Sequence, residues 1–162
     1  MDFDEFPPNL DESFMRQAIK EAEKALSENE VPVGCVIVHE GKIIGRGHNR
    51  IESLQDPTAH AEMLAITAAA EHLQSWRLGG TTVYCTLEPC AMCAGALVLA
   101  RVDRLVFGAP DPKFGACGSI FNIVSDPGTN HRMAISIGIL RDECAAVIQE
   151  FFRKKRGLSN ER

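Results

Sequence analysis

The sequence predicts an α/β fold, a sandwich in which a hairpin leads into a largely parallel sheet packed against helices. Three observations predict it. Short apolar runs at residues 31–38, 81–86 and 104–108 alternate with stretches whose apolar residues recur every three or four positions. The first run is followed at once by Glu40-Gly41-Lys42 and a second run, which reads as a hairpin. The length of 162 residues, with ordinary apolar content, favours one domain whose core folds without disulfides.

Residues 9–28 form the first expected helix. Asn9 or Asp11 can cap it, and Phe14, Ala18, Ala22, Ala25 and Leu26 fall on one face. The strand at 31–38 is apolar throughout and so expected to be buried on both faces. In the returning strand, 43–49, Gly45 and Gly47 alternate, which marks close approach by another backbone or a ligand. Asn49, just beyond, reads as a turn residue or as a group beside that approach. Asp56 as N-cap with Pro57 at the first helical position then opens a helix, placing His60 and Glu62 in its first turn. Met63, Leu64, Ile66, Thr67 and Ala70 continue it against the sheet, and His72 complements its C-terminal dipole.

The strand at 81–86 delivers Glu88 and Cys90 at its C-terminal end. The helix from about 90 to 100 is rich in small residues, Ala91, Ala94, Gly95 and Ala96, which permit close packing on a sheet or a second subunit. After the strand at 104–108, the turn-rich segment 109–118 is a candidate wall of a site, because ligands gather outside strand C-terminal ends. A short strand near 133–137 and a helix near 140–155 follow. Cys144, Val147, Ile148, Phe151 and Phe152 make a core stripe on that helix, although the two phenylalanines also suit a cleft. Arg153-Lys154-Lys155-Arg156 reads as a cationic helix end or a phosphate-contacting patch. No repeat or linker divides the chain, so 1–162 is expected to be a single domain, with 1–9 and 157–162 flexible.

The chemistry concentrates in Thr86 to Cys93, read together with His60-Ala61-Glu62. Cys90 and Cys93 stand three apart, so their thiols share a face if a helix begins near Pro89, and its N-terminal dipole favours thiolate. Two thiolates and an imidazole make a three-ligand zinc set that leaves the fourth tetrahedral position for water, the mark of a catalytic site. Glu62 lies two residues after His60, and positions i and i+2 of a helix do not face each other. It therefore reads as a general base rather than a ligand. The bland reading is a buried cysteine pair with an unrelated histidine.

The net charge of −5 does not advertise a nucleic-acid binder, although only a local basic patch decides that question. Six cysteines without paired spacings or a signal peptide indicate a reducing compartment, expected to be the cytoplasm, with Cys35, Cys85 and Cys144 as small core residues. No apolar run reaches the roughly 20 residues that span a bilayer.

His60-Ala61-Glu62 followed by Leu87-Glu88-Pro89-Cys90-Ala91-Met92-Cys93-Ala94-Gly95-Ala96 resembles the cytidine-deaminase-like zinc enzymes, whose pattern is His-x-Glu with Pro-Cys-x-x-Cys. Val106-Phe107-Gly108-Ala109, Asn130-His131-Arg132 with Gly138-Ile139-Leu140, and Glu143-Cys144 leading to Phe151-Phe152-Arg153 are similar to the bacterial tRNA-specific adenosine deaminases. The likeness runs from about Phe14 to Arg156. It implies a three-layer α/β/α sandwich with a mixed five-stranded sheet, a homodimer, and one zinc per subunit. It also implies hydrolytic deamination of the wobble adenosine of a tRNA anticodon to inosine, by attack of zinc-bound hydroxide at C6 with Glu62 as proton shuttle.

On the matching positions, His60, Cys90 and Cys93 would hold zinc and Asn49 would contact the flipped base. Asp111, Phe152 and Arg153 would lie near the anticodon stem-loop. Neither an organic cofactor nor a membrane is expected. Two other readings stay open. One is deamination of a free base or nucleoside such as guanine, cytosine or cytidine at the same zinc. The other is a zinc-stabilised RNA-binding module without chemistry, taking a fourth ligand from Cys85, Cys117 or a distant histidine.

Overall fold

The computed structural model describes residues 8–159. Helix α1 (Pro8–Ser27) precedes the hairpin of β1 (Gly34–His39) and β2 (Lys42–His48). There follow α2 (Ile51–Leu54), α3 (Ala61–Leu73), β3 (Thr81–Leu87), α4 (Ala91–Leu99), β4 (Arg104–Ala109), β5 (Ala134–Ile137) and α5 (Arg141–Ser159). The five strands lie in the order β2-β1-β3-β4-β5. β1 is antiparallel to both neighbours, and β3, β4 and β5 are parallel. β2 and β3, both opposed to β1, therefore point the same way, and their C-terminal ends share one edge with that of β4.

The pleat of β1 sorts its apolar run between two cores, as strand periodicity requires. Cys35 and Ile37 join the alanine faces of α3 and α4, while Val36 and Val38 join Met15 and Ala18 of α1 and Cys144 of α5. The helices thus lie in two layers with the mixed sheet between them. Glu40 and Gly41 turn the hairpin with φ of 51° and 76°, the left-handed pair that matches the twist of the strands. The approach marked by Gly45 and Gly47 is that of a backbone. A Cβ on Gly47 would lie 2.2 Å from the Ala61 carbonyl oxygen, and one on Gly45 2.5 Å from that of Ala65. Side chains there would push α3 off the sheet. No helix among the described residues is long and apolar enough to cross a membrane.

Several expectations are corrected. Asp11 does not cap α1 but sits within it, and its carboxylate accepts hydrogen bonds from Arg104 at 2.8 and 2.7 Å and from the Tyr84 hydroxyl at 2.7 Å. The same guanidinium donates to Ser136 Oγ, so one buried network ties α1 to β3, β4 and β5. The side chain of Asn9 lies outside the described residues. Asp56 does not start a helix, because its Oδ1 accepts from the amide and hydroxyl of Thr58 at 2.8 and 2.7 Å, closing a local turn instead. α3 begins five residues later.

The unforeseen helix α2 is held by the buried Glu30 carboxylate, which accepts the amides of Glu52 and Ser53 at 3.2 and 2.8 Å. On α5, Cys144 and Phe151 keep the core stripe, whereas Phe152 is 43% exposed and leaves it. Residues 157–159, expected as part of a flexible tail, continue that helix. Residues 1–7 and 160–162 of the two expected flexible ends lie outside the described chain.

Candidate metal centre and its surroundings

The ends of β2 and β3 place the site. His60 is the N-cap of α3 and Cys90 the N-cap of α4, both in extended conformation, and Cys93 lies in the first turn of α4. His60 is therefore not inside a helical turn, and Pro89 precedes the cap rather than opening the helix. Two helices on one face of the sheet bring their N-termini together, and each contributes its cap residue as a donor. His60 Nδ1 lies 3.7 Å from Cys90 Sγ and 3.6 Å from Cys93 Sγ. All three donor atoms fall within 4.8 Å of one another. A tetrahedral zinc shell separates its nitrogen and sulfur ligands by about 3.6 Å, so the donor set fits zinc without rearrangement.

The protons of the cluster are shared unequally. A hydrogen bond with Cys93 draws the Cys90 thiol down to about 3, with help from His60 against the opposing effect of burial. That same bond, then burial and the nearby Glu62, push Cys93 far up. The pair gives up its first proton readily and its second reluctantly. His60 is raised by its bond with Cys90. A divalent cation displaces these protons when it binds.

Glu62 lies in the first turn of α3 and is 3% exposed. Burial raises its carboxyl above the ordinary carboxylate range, opposed by a hydrogen bond with Cys93 and by His60. It stands outside the three-donor group. A buried carboxyl with a raised proton affinity beside a metal-ligand triad has the character of a general base.

Asn49 also organises the centre. Its Oδ1 accepts the Ala61 amide at 2.8 Å, anchoring the start of α3, while the Arg50 amide donates to the Ala59 carbonyl at 3.0 Å. The residues on both sides of His60 are thus pinned to the end of β2. Because a backbone N–H can only donate, the Asn49 oxygen must face Ala61, and the side-chain nitrogen is left as the end offered to a ligand.

Asp111 sits in the 110–119 loop, and Oδ1 of its carboxylate accepts the amides of Lys113 and Phe114. That loop bridges from Gly115 to Cys90 and donates from the Ala116 amide to the Pro89 carbonyl at 2.9 Å. The structure thus gathers His60, Glu62, Cys90, Cys93 and Asn49, with the Asp111 loop against them. Phe152 and Arg153 stand exposed on α5, whose packed face belongs to the opposite layer. No described residue completes a fourth ligand. Cys85 instead faces Cys35 at 3.6 Å, and Cys117 is turned toward the Pro89 carbonyl.

Sequence reasoning places Glu88 at a strand end but gives it no role; it is 3% exposed beyond β3 and holds this loop. Burial alone would raise its carboxyl, but bonds from the Ser119 hydroxyl and from the Cys117, Asp111 and Ser119 amides hold it below the ordinary range. An acid directly before Pro-Cys at a strand end was the available signal.

Residues 8–109 match the cytidine and deoxycytidylate deaminase zinc-binding region. A tRNA-specific adenosine deaminase of Bacillus subtilis (strain 168) is 50% identical over 146 residues, 90% of this chain and 91% of the relative. One from Streptococcus pyogenes serotype M18 is 47% identical over 152 residues, 93% and 96% respectively. A solved structure from biochemical and structural studies of A-to-I editing by tRNA:A34 deaminases superposes with a TM-score of 0.81 at 44% identity, covering 83% of this chain and 98% of that one. A guanine deaminase from Nitrosomonas europaea gives 0.72 at 25% identity, covering 86% and 83%.

Proposed function

The chain belongs to the cytidine and deoxycytidylate deaminase zinc-binding family, and from that premise we propose that it deaminates the wobble adenosine of a tRNA anticodon to inosine. The observation that carries the chemistry is the His60, Cys90 and Cys93 triad at zinc spacing beside the buried Glu62 carboxylate. The near full-length identity to tRNA-specific adenosine deaminases supports the substrate.

His60, Cys90 and Cys93 would hold zinc, which would supply Lewis-acid activation of water. Glu62 accepts one proton of the attacking water and gives it to ring N1 as C6 is attacked. It then takes the proton of the new C6 hydroxyl and gives it to the amino group, which leaves as ammonia as the C6 carbonyl forms. Asn49 offers its side-chain NH2 to an acceptor on the base and holds the ring over Glu62. The 110–119 loop closes one wall and excludes bulk water. A base must leave its stack to reach this centre, which costs a few kcal/mol and is cheapest in a single-stranded loop. Phe152 and Arg153, exposed on α5, extend the contact to the anticodon stem-loop backbone and bases.

We take the active form to be a homodimer. Phe114, Ile120 and Phe121, exposed by 70%, 51% and 58% beside the centre, support an apolar contact there. The substrate implies a cytoplasmic location.

The test is inosine formation and ammonia release with an anticodon stem-loop carrying adenosine at the wobble position, against free adenosine, cytidine and guanine. Inosine from the stem-loop alone is expected. The fold shared with a guanine deaminase supports a second reading, and ammonia from guanine with an untouched stem-loop would replace the first by it.

Asn49→Asp keeps the acceptor that Ala61 needs and removes the donor. It should retain zinc and the fold, at some cost in thermal stability from the buried carboxylate, while kcat/KM for the stem-loop falls roughly tenfold to a hundredfold, the worth of a hydrogen bond lost in a buried site. Wild-type kcat/KM in that variant would remove Asn49 from base recognition.

A further inference from the structure

We propose that Glu88 is a positioning residue whose buried carboxylate is the template for the 111–119 loop, so that this wall of the substrate site is built before RNA binds and in register with Cys90. As far as it concerns substrate, the inference rests on the tRNA reading above.

The geometry is that of an anion wrapped by backbone. Glu88 Oε1 accepts the Asp111 amide at 3.1 Å and the Ser119 hydroxyl, and Oε2 accepts the amides of Cys117 and Ser119 at 3.0 and 3.1 Å. These described partners are neutral donors drawn from both ends of one loop. Between them Gly115 lies flat against the carboxylate. A Cβ there would fall 2.3 Å from Oε2 and 2.5 Å from the Asp111 carbonyl oxygen, so only glycine lets the chain pass. The Glu88 amide donates to the Ala109 carbonyl at 2.8 Å, which fixes the template to the end of β4, where the loop departs.

The dependence runs both ways. A carboxylate with so little exposure is costly unless its lone pairs are filled, and the loop amides would be orphaned without it. Opening the loop breaks four bonds together, so it stays closed in the free protein. The loop is also registered on the metal centre through the Gly115 bridge to Cys90 and the Ala116 bond to Pro89. It carries Asp111 beside the site and presents Phe114, 70% exposed, outward. A wall ordered beforehand spares substrate binding the entropy of ordering it. Glu88 touches no reacting atom and acts through the loop.

The test uses the full-length, zinc-loaded protein with Glu88→Gln, which keeps the shape but turns one acceptor into an NH2 facing donors. Amide hydrogen exchange across residues 110–121 should accelerate on the order of tenfold or more, while α3 and α4 keep their protection and zinc stoichiometry is unchanged. KM for the stem-loop should rise about tenfold with kcat nearly unaltered, as expected when binding alone loses preorganisation. Gly115→Ala leaves the carboxylate intact and fills the space against it, so it should loosen the same segment even if Glu88→Gln fails to accumulate.

Unchanged exchange of the loop in these variants would overturn the proposal. So would loosening that spreads through α3 and α4 with loss of zinc, or a fall in kcat at constant KM. A stem-loop left unreacted by the wild-type protein would instead remove the tRNA reading, and the exchange result would still decide the role of Glu88.

Discussion

Glu62→Gln is expected to leave zinc content at the wild-type level and to lower turnover by about 10²- to 10⁴-fold, the usual worth of a positioned general base. The glutamine fills the same buried space at the start of α3 but cannot take a proton from water or return it to the ring. The Nδ1 and Sγ atoms of the triad lie within 4.8 Å of one another without Glu62, so the metal has no reason to leave. Metal analysis of the purified variant beside single-turnover kinetics on the stem-loop checks both halves. Loss of zinc on this substitution would make Glu62 a ligand, and retained turnover would move the proton transfer to another group.

Arg104→Ala should destabilise the protein by about 3–5 kcal/mol, since it strands a buried carboxylate. That is a large part of the roughly 5–15 kcal/mol that holds a domain together. Asp11 and Arg104 are 6% and 5% exposed, and their two bonds join the first helix to β4. Urea unfolding of the variant measures the effect. Arg104→Met combined with Asp11→Leu should recover most of it, because the uncompensated charge is then gone.

The pH dependence has a definite sign. Burial would raise Asp11, but the bonds from Arg104 and Tyr84 outweigh it and hold the carboxyl below its ordinary value. A carboxyl depressed on folding contributes stability that is full above its unfolded pKa of about 3.9 and is lost as pH falls through the folded value. The gap between wild type and Arg104→Ala should therefore be widest near neutrality and narrow below about pH 4. A gap that stayed constant down to strong acid would show that the ion pair does not carry the effect.

The metal ligands were legible because their identity is local. His60 and Glu62 fall within three residues, Cys90 and Cys93 within four, and the chemistry of imidazole and thiol needs no neighbour to be recognised. The hairpin was legible for the same reason, with an apolar run on each side of Glu40-Gly41. The paired glycines of β2 foretold a close approach but could not say that α3 makes it. Phe152 shows the limit of periodicity. It continues the stripe of Cys144 and Phe151, yet it projects outward, since the stripe is wider than the surface available to cover it.

What escaped were the buried acids. Asp11 reads as a helix cap until Arg104, 93 residues later, is seen beside it. Glu30 drew no reading from the sequence, and only the fold brings its buried carboxylate against the amides that begin α2. Asp56, which is not buried, reads as the cap of a helix it does not start, because an Asp two residues before a Thr closes a local turn as readily as it caps.

By itself, then, the sequence determined which three residues form the candidate zinc set, which carboxylate stands beside them, and the order of the strands and main helices that carry them. Only the tertiary structure decided that His60 and Cys90 are cap residues of converging helices, that Asn49 presents a donor, and that Glu88 is clasped by the loop beyond β4. The reason is physical. Ligand type and apolar spacing are properties of neighbouring residues, whereas the partner of a buried charge is chosen by whichever distant backbone or side chain the fold brings within hydrogen-bond reach.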